Sequence, residues 1–266
     1  MASKTEQYID SLTAKGKISF TIETFSSDLG ISYGAALVAL KRLKDQRKIV
    51  SPSRGYYLVL TPEFRRRGCL PPDFFIDDLM RHLNINYYVA LLSAAMYYGA
   101  AHQQPQTFQV IVPDKKNNIQ CGNIYIEFIK NKYSSRTPVQ KMKTRIGFMN
   151  VSTAEATAID IMNHMPQCGG INRVATVIEE LGEAIDGEIL KVLAEKNKGS
   201  PWVNRLGYLL DKFGFNGIAV LLYESFDKNS RIIPLTPHAS SVGMPRDKKW
   251  RVILNIKVES DLDDTN

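Results

Sequence analysis

Three charged residues have types that could carry out metal-assisted hydrolysis. Asp114 follows one apolar run, and Glu127 and Lys130 close the next. Nucleases place an acid and a Glu-x-Lys on neighbouring strands to hold a divalent ion. Here the spacing is Glu-x-x-Lys, which puts Glu127 and Lys130 on opposite faces of a strand. Exposed charges at strand ends fit that spacing better, so no catalytic residue is assigned and the chain is expected not to be an enzyme. His82, His102, His164 and His238 show no metal-ligand spacing with one another or with a cysteine, so no metal site is expected. Cys69, Cys121 and Cys168 are odd in number, far apart and without a Cys-x-x-Cys. That argues against a disulfide framework and a zinc site and suits the reducing cytoplasm. Gly-x-x-x-x-Gly-Lys, Gly-x-Gly-x-x-Gly and Gly-x-Ser-x-Gly are all absent, and Gly169-Gly170 reads as a turn before a helix. No cofactor is implied.

A different chemistry is written in the charge distribution. The formal net charge is +7. Residues 1–67 hold 12 Lys/Arg against 6 Asp/Glu, and residues 115–145 hold eight basic residues against Glu127 alone. The segments 68–114 and 146–266 are each net −3. Two basic islands on an otherwise slightly acidic chain point to two polyanion-facing surfaces, the alternative being solvated lysine scatter. The second island comprises Lys115, Lys116, Lys130, Lys132, Arg136, Lys141, Lys143 and Arg145. If the two strands around it form a hairpin, Lys115 and Lys116 in its turn point away from Lys130–Arg145 at the open end. The 130–145 part, with Lys141, Lys143 and Arg145, is then the stronger DNA-facing candidate.

The elements that must position the first island are legible in residues 1–62. Ser3 caps a helix with Tyr8, Ile9 and Leu12 on one stripe, and Gly16 stops it. Lys17–Phe20 is extended. Thr21 caps Ile22–Leu29, Gly30 ends it, and Ser32 caps a third helix to about Arg47 with Ala36, Leu40 and Leu43 inward. Ile49–Val50, a turn at Ser51–Gly55, and Tyr56–Leu60 form a hairpin. This is the order of a winged helix-turn-helix, in which the third helix enters the major groove of double-stranded DNA. Its outward face offers Ser32, Tyr33, Gly34, Val38, Lys41, Arg42 and Asp45. Ser32 and Tyr33 can donate to phosphates or base edges, Gly34 lets the backbone come close, and Lys41 and Arg42 suit phosphates. Arg54 stands at the hairpin tip, where wing residues reach the minor groove. The alternative is a winged helix that binds protein.

Thr61–Pro72, with Pro62, Arg65–Arg67 and Pro71-Pro72, reads as a linker, which puts a second domain at 73–266. There the patterns predict helices at Phe74–Leu83, Tyr87–Tyr98, Ser152–Met162, Ile171–Leu181, Ile185–Ala194 and Trp202–Phe213. Strands are predicted at Thr107–Pro113, Asn123–Ile129, Ile146–Asn150, Ile218–Tyr223 and Trp250–Val258, with Asp114–Gly122 a polar turn and Glu259–Asn266 a frayed acidic tail. The fold class is therefore α+β: a winged helix-turn-helix followed by a larger mixed α/β domain. With 266 residues, 44% apolar and 23% charged, the chain is globular in composition. No apolar run is long enough to span a bilayer and no secretory signal opens the sequence, so no membrane association is expected.

Several stretches together carry a family resemblance. They are FTIETFSSDLGISYGAALVALKRLKDQRKIVSPSRGYYLV, YYVALLSAAMYYGAAHQQPQTFQVIV, MNVSTAEATAIDIM with GGINRVATVIEEL, RLGYLLDKFG, and SVGMPRDKKWRVILNIKVESD. In that order, across nearly the whole chain, they resemble the AbiEi-type antitoxins of type IV toxin–antitoxin (abortive infection, phage defence) systems. The resemblance implies a transcriptional repressor of its own operon that antagonises a nucleotidyltransferase-like toxin without a stable complex. It also implies operator binding by the winged helix, assisted by a basic face of the second domain. Two rival readings are a nuclease-like enzyme using Asp114, Glu127 and Lys130, and a regulator whose second domain senses a small ligand.

Overall fold

The computed structural model describes residues 3–100, 106–237 and 239–259. The chain is a mixture of helices and strands in three sheets, and it divides into two compact units. The first comprises residues 1–89, 106–136 and 140–151, and the second 90–105, 137–139 and 152–266. Thr61–Pro72 lies inside the first unit.

The first unit begins with α1 (Lys4–Ala14), β1 (Ser19–Thr21), α2 (Ile22–Leu29), α3 (Tyr33–Asp45), β2 (Ile49–Ser53) and β3 (Tyr56–Val59). The caps explain the boundaries. Ser3 and Glu6 close a capping box on α1, Thr21 and Thr24 do the same on α2, and Gly30 leaves α2 at φ 62°. The three strands form one antiparallel sheet in the order β1-β3-β2. Ile9, Leu12, Phe20, Phe25, Leu40 and Ile49 fill the core between helices and sheet. The next segment is a short turn at Pro62–Phe64, with Cys69 and Leu70 buried after it. Helix α4 (Pro72–His82) follows and buries Phe75, Ile76, Leu79 and Met80.

The rest of this unit is a six-stranded sheet. Its strands are β4 (Tyr88–Val89), β5 (Thr107–Val112), β6 (Ile119–Cys121), β7 (Ile124–Lys130), β8 (Val139–Thr144) and β9 (Gly147–Ser152). The order is β6-β7-β5-β4-β9-β8, so β6 and β8 are the edges. Three expectations are corrected here. Tyr87–Tyr98 is not one helix. Tyr88–Val89 pairs in the sheet, Leu91 turns the chain at φ 53°, and only then does α5 (Leu91–Ala95) begin. A run that is apolar all round is equally content in a buried strand or a buried helix. The polar turn Asp114–Gly122 hides β6, whose Ile119 and Cys121 are buried and Gln120 exposed. Finally, β5 and β7 are not a hairpin. They run parallel, with Val112 opposite Lys130, because the chain first forms β6 on the far side of β7.

The second unit holds α5, α6 (Ala154–Asn163), α7 (Ile171–Leu181), α8 (Gly187–Lys196), α9 (Pro201–Lys212), α10 (Asn216–Glu224) and a small sheet. That sheet joins β10 (Ile233–Pro234), β11 (Arg246–Asp247) and β12 (Val252–Ile253) in the order β10-β12-β11. Ile218–Tyr223, expected as a strand, lies in α10, where Ala219 and Leu222 are buried at helical spacing. Trp250–Val258 contributes only Val252–Ile253 to a sheet, since Arg251 sits at φ 55°. Trp250 is the centre of this unit. Its indole Nε1 donates to Asp211 at 2.6 Å, Asn204 donates to its carbonyl at 2.8 Å, and Tyr223 and Phe226 pack edgewise on its ring. The tail beyond Glu259 lies outside the described residues, as do His102 and His238.

Candidate nucleic-acid interface

The turn between α2 and α3 is built from the residues that the sequence singled out. Gly30 takes the left-handed conformation, and Ser26 donates its hydroxyl to the Ile31 carbonyl, fixing the reversal. The Ser32 hydroxyl accepts from the Ala35 amide at 3.3 Å, which caps α3. Ala36, Leu40 and Leu43 are buried, so the opposite face must look outward. Tyr33, Leu37 and Val38 on that face are 54%, 46% and 54% exposed. Ser32, Gly34, Lys41 and Arg42 are exposed beside them, and a Cβ on Gly34 would meet nothing within 4 Å. Asp45 and Arg42 do not pair, and Arg54 is exposed between β2 and β3. Leu37 was not among the outward residues expected. Its position four residues after Tyr33 was the available signal.

The second basic island is arranged differently from the expectation. Because β5 and β7 are parallel, the residues after Val112 and those from Lys130 onward leave the sheet at the same end. Lys115 and Lys116 therefore do not point away from Lys130. Lys130 lies 4.0 Å from Asp114 in an exposed ion pair. Lys116 sits 5.1 Å from the Phe128 ring, and burial lowers its ammonium pKa. Tyr133 is exposed, with Lys132 at 4.7 Å and Arg136 at 5.3 Å from its ring. A hydrogen bond from Lys132 lowers the Tyr133 phenol below its ordinary range. Lys141 and Lys143, expected in a loop, alternate on edge strand β8 and share one exposed face. Arg145 turns the β8–β9 corner with its guanidinium 5.8 Å from the Phe74 ring.

The residues weighed for hydrolysis do not converge. The side chain of Asp114 is nearly fully exposed, whereas Glu127 accepts from Gln109 Nε2 at 3.2 Å. Among the described residues, no three His, Cys, Asp or Glu side chains are grouped as metal ligands. Likewise among the described residues, no helix is long and apolar enough to cross a membrane.

The family model described as the AbiEi antitoxin C-terminal domain matches residues 88–212, from β4 to the end of α9. Through this domain, residues 88–212 are similar to the AbiEi antitoxin family. The AbiEi domain supports an antitoxin role in a toxin–antitoxin, abortive infection system. No curated protein matches the chain. Among solved structures, the Rv2827c protein from Mycobacterium tuberculosis has a TM-score of 0.70 at 15% identity. That alignment covers 95% of this chain and 92% of the other, so the fold is shared over nearly the full length of both. An antigenic nucleotidyltransferase-like protein from Paracoccidioides brasiliensis has a TM-score of 0.34 at 11% identity, covering 58% of this chain and 91% of its own.

Proposed function

We propose that residues 1–62 are a winged helix-turn-helix that binds double-stranded operator DNA, and that residues 73–266 carry the antitoxin function. In this reading the protein represses its own operon in the cytoplasm. It antagonises a nucleotidyltransferase-like toxin without forming a stable complex, acting by binding and not by catalysis. The observation that carries the DNA reading is the outward face of α3. A folded domain gains nothing in stability by leaving Tyr33, Leu37 and Val38 in water beside Lys41 and Arg42. The same set suits a major groove. Leu37 and Val38 can contact thymine methyl groups, Ser32 and Tyr33 can hydrogen-bond phosphates or base edges, and Gly34 admits the backbone. Lys41 and Arg42 take phosphates, and Arg54 reaches the adjacent minor groove or backbone. Lys141, Lys143 and Arg145 add a second phosphate-facing surface. The element order α1-β1-α2-α3-β2-β3 supports the module, and the AbiEi domain supports the antitoxin half.

Gel-shift titration against the DNA upstream of the gene tests this reading. Changing Tyr33, Lys41 and Arg42 together to Ala is expected to weaken binding and flatten its salt dependence. A lost base contact is worth roughly 1–3 kcal/mol, and each lost phosphate contact reduces the salt slope by about one. Unchanged affinity with an unchanged slope would overturn the assignment of α3.

A further inference from the structure

Cys69 and Cys121 are both buried free thiols, and each perturbs the ionisation of the other. The chain around them explains the pairing. Two segments run past each other in opposite directions: the Asn123 amide donates to the Arg67 carbonyl at 3.0 Å, and Gly68 lies against Gly122. A Cβ on Gly122 would stand 2.8 Å from the Gly68 Cα and 2.4 Å from the Arg67 oxygen, so only glycine allows this approach. One residue further along, Cys69 faces Cys121. This close approach of the two backbones brings the neighbouring cysteines toward the roughly 4.4–6.8 Å Cα span that disulfides require.

We infer that Cys69 and Cys121 are a redox-sensitive pair that closes to an intramolecular disulfide on exposure to a hydroperoxide. The way in for a small oxidant is short, because Arg67, Gly122 and Asn123 directly beside the pair are exposed. The two sulfurs are not equivalent. The neighbouring Cys69 thiol lowers the Cys121 pKa against the opposing effect of burial, with the charge of Lys44 adding to the lowering, whereas the Cys121 thiol and burial raise that of Cys69. Because the positive charge of Lys44 acts on Cys121, Cys121 is taken as the attacking thiolate. It displaces hydroxide from the peroxide by breaking the O–O bond, giving a sulfenic acid, and its released proton completes a water molecule. The Cys69 sulfur then attacks the sulfenic sulfur, the S–O bond breaks, and the hydroxide leaves with the Cys69 proton as a second water. Two thiols are oxidised by two electrons, and the peroxide is reduced by two. Lys44 lies in the last turn of α3, and β2 packs beside β6, so the cross-link forms next to the module proposed to bind DNA.

The test uses the full-length native protein, treated with hydrogen peroxide, quenched with N-ethylmaleimide and read by intact mass and peptide mapping. Titratable thiols are expected to fall from three to one, with loss of two hydrogen masses and a Cys69–Cys121 linked peptide that dithiothreitol reverses. A Cys168→Ser variant should keep the cross-link, and Cys121→Ser should leave Cys69 as a free thiol. The oxidised wild-type chain should also melt higher than the reduced one, because the link restricts the unfolded chain. Three thiols surviving the peroxide, oxygen addition without a link, or a link through Cys168 would each overturn the inference.

Discussion

The Tyr56 hydroxyl donates a 3.1 Å hydrogen bond to Oδ2 of Asp78, tying β3 to α4. The Ser19 hydroxyl on β1 donates to the same oxygen, and Arg81 holds the other carboxylate oxygen at 3.3 Å. Tyr56 is buried and its ring lies 5.3 Å from that of His82. Burial, and then the Asp78 charge, push the phenol well above its ordinary range, so it stays a donor. Removing Asp78 leaves the buried Tyr56 hydroxyl without its acceptor, at a cost of about 1–3 kcal/mol. Asp78→Ala is therefore expected to lower stability by about that amount in urea denaturation. Combined with Tyr56→Phe, the loss should be less than additive, because the two changes remove one contact. Strictly additive effects would show that the two side chains are not coupled.

Tyr8 gives a prediction at high pH. Its hydroxyl donates to Asp28 at 3.1 Å, and its ring packs edgewise on Phe20 and Phe25. Burial, and then Asp28, push its pKa from 10.0 up to about 12. A group whose pKa is raised on folding contributes stability that is complete below the unfolded value. That stability is lost as pH rises through the folded value. The contribution of Tyr8 should therefore hold up to about pH 10 and vanish by about pH 12. Tyr8→Phe, compared with the wild type by thermal melts across that window, is expected to show a shallower decline. Parallel curves would remove the assigned shift.

Gly207 in α9 lies beneath the indole of Trp250. A Cβ there would stand 2.3–2.5 Å from three ring carbons. Trp250 is fully buried and its indole is held by Asp211, so the ring cannot swing away without breaking that bond. Overpacking a tight core costs about 1–3 kcal/mol. Gly207→Ala is expected to destabilise the chain by at least that much and to alter its tryptophan fluorescence. A variant as stable as the wild type would mean the ring has room to move.

The sequence was most readable where local chemistry decides the structure. Ser3, Thr21 and Ser32 cap the helices expected of them, Gly30 makes the expected reversal, and Ala36, Leu40 and Leu43 are buried. It was least readable where pairing over distance decides. Tyr88–Val89 and Ile218–Tyr223 are apolar runs that satisfy either period. One was settled by a place in a sheet and the other by packing against neighbouring helices. The parallel pairing of β5 and β7 depends on β6, three residues inside a stretch that looks like a turn. The candidate site followed the same division. The α3 face was legible from periodicity, while the place of Lys115 relative to Lys130 required the topology.

Edge strand β8 supplies the last prediction. Lysines on an edge strand have an ordinary purpose, which is to discourage pairing with other chains. Lys141 and Lys143 could serve only that. Their setting suggests more. The β8–β9 turn, through Thr144, Ile146 and Phe148, shares a cleft of about 430 Å³ with Lys17 and Ser19 of the amino-terminal module. That cleft is also lined by Asp73, Asp77 and Asp78, so the proposed DNA track rests on Lys141 and Lys143 lying exposed in the same compact unit as α3. Arg145 differs from the two lysines, because it also packs on Phe74. Its replacement would disturb the fold, so the lysines alone are the cleaner probe. Lys141→Glu with Lys143→Glu is expected to lower operator affinity more than the matching alanines, since it adds repulsion to lost attraction. The alanine pair should reduce the salt slope by up to about two, or about one per phosphate contact. Pairing each gel shift with a toxin-rescue growth assay separates the possibilities. Loss of binding alone places the lysines on the DNA track. Loss of rescue alone, with unchanged circular dichroism, assigns β8 to antagonism of the toxin. A glutamate variant normal in both assays would leave Lys141 and Lys143 with the protective role only.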